Sequence, residues 1–99
     1  MIIEKFLINQ NINYTILRFS TAFGLSKRMR YDLTINEFVK TVFFDKKLEV
    51  YDMNTFRPYL HVKDFSRVFS ILLETKKKIN GKIYNVGSNE NNFSKKQII

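Results

Sequence analysis

The 99-residue chain has no cysteine, no tryptophan, one histidine, one proline and three glycines. Without cysteine there is no disulfide framework and no thiolate zinc site. A single histidine, His61, cannot build a multi-histidine metal centre, and no metal ligand is assigned. The glycines Gly24, Gly81 and Gly87 are isolated, and none opens a helix as a G-x-G-x-x-G phosphate loop. There is no G-x-S-x-G elbow, and Ser20, His61 and Asp64 lack the local context of a catalytic triad. No apolar run approaches the roughly 18–20 residues of a membrane span. Nor does the N-terminus carry a basic leader before its apolar stretch. These absences point to a cytoplasmic chain in a reducing compartment, with no membrane association.

What is present is apolar and basic. Ten Phe and five Tyr within 44% apolar content exclude a disordered polybasic tail. The length admits one domain, and a chain this short buries only about 60–65% of its unfolded surface. The formal charge of +8, from twelve Lys and five Arg, bears on solubility and encounter rather than on fold.

Periodicity predicts a helix over 2–10 and a strand over 14–19. The near-continuous apolar run of that strand suggests burial on both faces of a parallel sheet. A polar, basic loop covers Gly24 to Tyr31. Ile35, Phe38, Val39, Val42 and Phe43 form one helical stripe, with Thr34 and Glu37 as a capping box and Asp32 as an alternative cap. Leu48–Tyr51 alternates like a short strand, and 56–62 reads as extended around Pro58. Asp64 is placed as the cap of a second striped helix bearing Phe65, Val68, Phe69, Leu72 and Leu73. Lys76, Lys77 and Lys78 fall in its last turn and Asn80-Gly81 ends it. A strand follows over 82–86, closed by Gly87, and Ser94 with Gln97 makes a capping box for a further helix. Both ends read as cut from a larger α/β protein.

Three segments in this order carry a resemblance. Leu17-Arg18-Phe19-Ser20-Thr21-Ala22-Phe23-Gly24 is similar to the L-R-x-x-x-x-x-G stretch of the extended short-chain dehydrogenases. Arg57-Pro58-Tyr59-Leu60-His61-Val62-Lys63-Asp64 resembles their R-x-x-x-H-V-x-D motif, and Tyr84-Asn85-Val86-Gly87 their late Y-N-V-G strand. The loop Arg28–Leu33 and Asn36 further resemble the nucleotide-sugar epimerase/dehydratase branch.

The resemblance implies an α/β fold: the C-terminal part of a doubly wound Rossmann-type sheet with the smaller substrate-binding domain, truncated at both ends. Residues 1–99 would then be the substrate-binding portion, without the dinucleotide-binding glycines or the catalytic Tyr-x-x-x-Lys. Glu4 suits the glutamate that the family often places four residues after that lysine. The implied chemistry is transient oxidation of a nucleoside-diphosphate sugar by NAD or NADP, then epimerisation, dehydration or reduction. No catalytic residue is assigned within the chain, and the isolated chain is expected to hold no cofactor and to be inactive. Completion would come from the missing N-terminal segment or a partner chain.

Residue by residue, Arg57 matches the arginine that contacts the nucleotide diphosphate, a role suited to a forked guanidinium. The alternative is an arginine packed by its stem and paired with Asp52 or Asp64. Phe19 and Ser20 match the turn that meets the nicotinamide through the backbone, or else are a core aromatic and an ordinary turn serine. Thr21 stands where many of these epimerases have a substrate-binding asparagine. Arg28, Arg30 and Asn36 are candidate substrate contacts, against the reading of a solvated basic loop. His61 is read as structural rather than as a general base, and Asn85 and Gly87 as shaping the strand exit.

Two other functions are weighed. One is a small basic nucleic-acid module using Lys27–Arg30 and Lys76–Lys78, disfavoured because the aromatics fall on helix faces that need burial. The other is a noncatalytic remnant that binds a sugar nucleotide or a partner chain.

Overall fold

The computed structural model describes residues 2–10, 12–75 and 79–99. Helix α1 (Ile2–Ile8) leads into strand β1 (Thr15–Phe19). One residue later the chain re-enters extended structure as β2 (Thr21–Phe23), followed by α2 (Thr34–Asp45). Then come β3 (Phe56–His61), α3 (Val62–Glu74) and β4 (Lys82–Val86). A 3₁₀ turn (Asn89–Asn91), β5 (Asn92–Ser94) and α4 (Lys95–Ile98) finish the chain.

The strands form two small sheets. β1 and β4 pair in parallel, Thr15 opposite Lys82 through Phe19 opposite Val86. The second sheet has the order β2-β3-β5, parallel on the first side and antiparallel on the second. β3 pairs with β5 over Phe56–Pro58 and with β2 over Tyr59–His61. Pro58, which has no N–H to donate, lies where the partner changes sides. The α/β class and the parallel pairing agree with the sequence reading.

Several local expectations do not hold. Leu48–Tyr51 forms no strand. Leu33 is the N-cap of α2 and makes no side-chain cap, so the Thr34/Glu37 box is not formed; Asp32 is engaged by Arg30 instead. α3 starts two residues before Asp64. Its cap is His61, whose Nδ1 accepts the Lys63 N–H at 3.2 Å, while Asp64 pairs with Arg67 within the first turns. The helix ends at Glu74, where Thr75 donates through N–H and Oγ1 to the Ile71 carbonyl, rather than at Asn80-Gly81. That dipeptide is tied to the start of β1: Gly81 N–H donates to Tyr14 O, and Asn80 Oδ1 accepts the Tyr14 N–H. The Lys76–Lys78 assignment lies outside the described residues. At the C-terminal helix the Ser94/Gln97 capping box is formed: Gln97 Oε1 accepts the Ser94 N–H at 2.9 Å, and it also accepts the Ser94 hydroxyl at 3.1 Å.

The interior is thin. Among the described residues the buried large apolar side chains are Tyr59, which is fully enclosed, and Leu60. β1 is half-buried rather than covered on both faces. Phe19 stacks on Phe65 of α3, with centroids 4.3 Å apart, and tilts against Phe69 at 5.7 Å. The radius of gyration is 16.9 Å, against about 13 Å for a compact domain of this length. No helix among the described residues is long and apolar enough to cross a membrane.

The apolar stripes that periodicity marks for burial stay open, including Val39, Val42 and Phe43 on α2 and Phe69 and Leu73 on α3. The α2 stripe lines a groove of about 590 Å³ with Leu48, Ile98 and Ile99. Contiguous apolar surface of this kind seeks partners. We therefore expect the chain to self-associate in solution despite its positive charge. Light scattering and calorimetry check this; a monodisperse monomer with a cooperative melt would contradict it.

Candidate functional site

The chain crosses from one sheet to the other at Ser20. Its N–H and its hydroxyl both donate to the Val86 carbonyl, at 2.9 and 2.8 Å. The contact leaves no room at the next residue of the partner strand: a Cβ on Gly87 would lie 2.0 Å from Ser20 Oγ. Ser20 and Gly87 thus bring the carboxyl ends of the parallel strands β1 and β4 together. A cleft of about 360 Å³ opens there, lined by Arg18, Phe19, Ser20, Pro58 and residues 85–89. The crevice beyond the carboxyl ends of parallel strands is where open α/β sheets bind ligands.

Both candidate cofactor residues, Phe19 and Ser20, line this cleft, yet each also has a packing role. The Phe19 ring belongs to the stack on α3, and the Ser20 hydroxyl is engaged by Val86. Alternation along β1 puts Arg18 on the opposite face from Leu17 and Phe19. There its Nε and Nη2 both donate to Glu4 Oε1, Nε at 3.1 Å. Glu4 is only 8% exposed and is the buried residue of α1. The Arg18 guanidinium holds its carboxyl below the usual range. The resemblance singles out Glu4 and the segment containing Arg18 separately, and no pattern in the sequence links the two across α1 and β1.

A second cluster surrounds Gly24, whose φ of +120° is a conformation that L side chains rarely adopt. A Cβ here would stand 2.6 Å from His61 Nε2 and 3.1 Å from Val62 Cγ2. Phe23 meets the His61 ring edge-on at 5.2 Å. The buried Asn36 closes the loop from α2: its Oδ1 accepts the Gly24 N–H at 3.2 Å, and its Nδ2 donates to Arg30 O at 3.0 Å. Arg30 forms a two-pronged pair with Asp32, which lowers the Asp32 pKa. Arg28 is exposed, and its carbonyl accepts the Ser26 hydroxyl at 2.8 Å. Arg28 and Arg30 thus belong to one loop whose backbone Asn36 of α2 holds at Gly24 and Arg30.

The third group lies on the second sheet. Tyr59 of β3 is the register partner of Thr21 on β2, and Arg57 sits two residues before Tyr59, on the same strand face. Arg57 is exposed and makes no side-chain hydrogen bond or ion pair among the described residues, so the alternative pairing with Asp52 or Asp64 is not formed. Neither Arg57 nor Thr21 lines the cleft at Ser20.

A parallel pair with a ligand-sized crevice at its carboxyl ends, joined to a mixed sheet, defines a Rossmann-like α/β protein. The sequence profile of the NAD dependent epimerase/dehydratase family matches residues 2–87, and the chain belongs to that family. It is similar to UDP-glucuronic acid 4-epimerase from Bacillus cereus, solved in complex with UDP-glucuronic acid and NAD. The identity is 32% and the TM-score 0.75, covering 91% of this chain and 28% of that one. A mutant of the same enzyme, with UDP-4-deoxy-4-fluoro-glucuronic acid and NAD, gives 30% and 0.76 over 93% of this chain and 29% of that one. dTDP-glucose 4,6-dehydratase from Bacillus anthracis, in complex with NAD, gives 26% and 0.69 over 84% and 25%. The chain thus spans between a quarter and a third of the length of these solved proteins.

Two outcomes follow from this geometry. Gly24→Ala should destabilise the chain by about 1–3 kcal/mol, since it combines backbone strain with a clash on His61; urea denaturation measures it. Glu4→Gln should act through pH. The native carboxyl is depressed, so its stabilisation is complete above the unfolded value of about 4.3 and is lost as pH falls through the lower native value. The melting temperature of Glu4→Gln should therefore lie below that of the parent at neutral pH and converge on it in strong acid.

Proposed function

We propose that residues 1–99 are the substrate-binding, C-terminal portion of an NAD-dependent epimerase or dehydratase acting on a nucleoside-diphosphate sugar. The nicotinamide end of the cofactor, NAD or NADP, lies at Phe19 and Ser20. The sugar nucleotide lies against Arg57 and Thr21, with the Arg28–Arg30 loop at its edge. The dinucleotide-binding glycines and the catalytic tyrosine and lysine come from a segment outside these residues or from a partner chain. On this reading the 99-residue chain alone has no turnover, acts in the cytoplasm and has no specific nucleic-acid partner.

One observation carries the reading. Arg57 offers a guanidinium without a partner among the described residues, beside Pro58, whose ring fixes the local φ, on the face that Tyr59 shares with Thr21. A stiff extended segment limits the directions of the fork, which favours bidentate contact with phosphate over a mobile surface charge. The UDP-sugar complexes of the similar epimerase agree with a diphosphate as the ligand.

The test is calorimetric titration of the chain with UDP. Arg57→Ala should weaken binding by about 1.5–3 kcal/mol, and Arg57→Lys should recover only part, because an ammonium keeps the charge but not the fork. Unchanged affinity in Arg57→Ala, with the fold intact, would remove the assignment.

A further inference from the structure

The cleft at Ser20 contains two polar side chains with hydrogen-bonding groups left over. Arg18 and Asn85 are register partners across β1 and β4, so they lie side by side on the face away from α3. Both line the cleft. Glu4 takes the Nε and Nη2 edge of the guanidinium and leaves Nη1 without a partner among the described residues. The Asn85 amide likewise makes no side-chain hydrogen bond there, and Arg18 is 47% exposed.

Charge and donor count select the ligand. The nearly buried Glu4 carboxylate offsets part of the Arg18 charge, so an incoming anion gains less attraction than at a lone arginine and meets the acceptor Asn85 Oδ1 as well. A neutral group with a carbonyl beside an NH₂ fits better. Its oxygen accepts from Arg18 Nη1 or Asn85 Nδ2, and its NH₂ donates to Asn85 Oδ1. That group is a primary carboxamide. Within NAD it occurs once, on the nicotinamide ring, and the cleft volume lies within the ~300–1,000 Å³ typical of small-ligand sites.

We propose that Arg18 and Asn85 seat the nicotinamide carboxamide, with Glu4 as the positioning residue that aims the guanidinium. The proposal rests on the cofactor reading above and adds residues to it. All the lining residues belong to this chain, so free nicotinamide is the appropriate probe even where the rest of the cofactor has no seat.

The experiment is a ¹⁵N NMR titration of the chain with nicotinamide, and in parallel with nicotinate, in the millimolar range. Nicotinamide should shift Arg18 Nε–H and the Asn85 side-chain amide together with the backbone signals of Ser20 and Gly87, and nicotinate should shift them less. Asn85→Ala should raise the dissociation constant roughly three- to tenfold, as loss of one neutral hydrogen bond implies. Arg18→Lys, which retains a cation for Glu4 but loses the fork, should raise it similarly. Shifts at Ser20 and Gly87 without Arg18 and Asn85, or full affinity in both variants, would overturn the seat and leave the cofactor cleft standing. A stronger response to nicotinate would show simple charge attraction and overturn it too. No shift with either compound would likewise overturn the seat.

Discussion

The Val86 carbonyl holds the two sheets of this chain together by accepting two hydrogen bonds from Ser20. The second sheet is oriented relative to the first through this one-residue crossing and through the Phe19 stack on α3, which runs directly from β3. The cleft exists because the crossing is so short. β1 and β4 end side by side, and the chain turns away before either can be covered. Gly87 is the complementary requirement, since any side chain there would occupy the Ser20 hydroxyl position.

A similar interlock explains why two distant motifs occur together. The glycine ending the first segment and the histidine within the second touch: Gly24 has no room for a Cβ because the His61 ring fills it. His61 is meanwhile committed to capping α3, and Asn36 secures the Gly24 N–H from the other side. These residues form a mutual packing arrangement in which each restricts what its neighbour can be. Their spacing in sequence reflects the lengths of β2, α2 and β3 rather than chemistry at any of them.

Elements with strong periodic or β-branched patterns were legible in the sequence: β1, β3, β4, both striped helices and the Ser94/Gln97 start. Helix caps were less so. At α2 and α3 several polar residues compete for the cap, and Asp32 and Asp64 are instead taken by arginines two and three residues away. The short strands β2 and β5 carry three residues each and little pattern of their own; they are extended because β3 lies between them. At the site, residue types near Ser20 and Arg57 could be singled out from motifs. The Glu4–Arg18 pair could not, because it depends on where α1 packs against β1.

The change of partner along β3 has a mechanical meaning. No residue of that strand is hydrogen-bonded as a ladder on both sides, since β5 serves the half before Tyr59 and β2 the half from it onward. Pro58 therefore acts as a crease between two half-strands with separate supports. The His61 half is fixed by the Gly24 contact, whereas the Arg57 half is carried by the short C-terminal strand Asn92–Ser94. Shifts in that last strand would tilt the arginine without disturbing the capped helix behind it, so the exposed half of β3 can adjust while the half that supports the fold stays still.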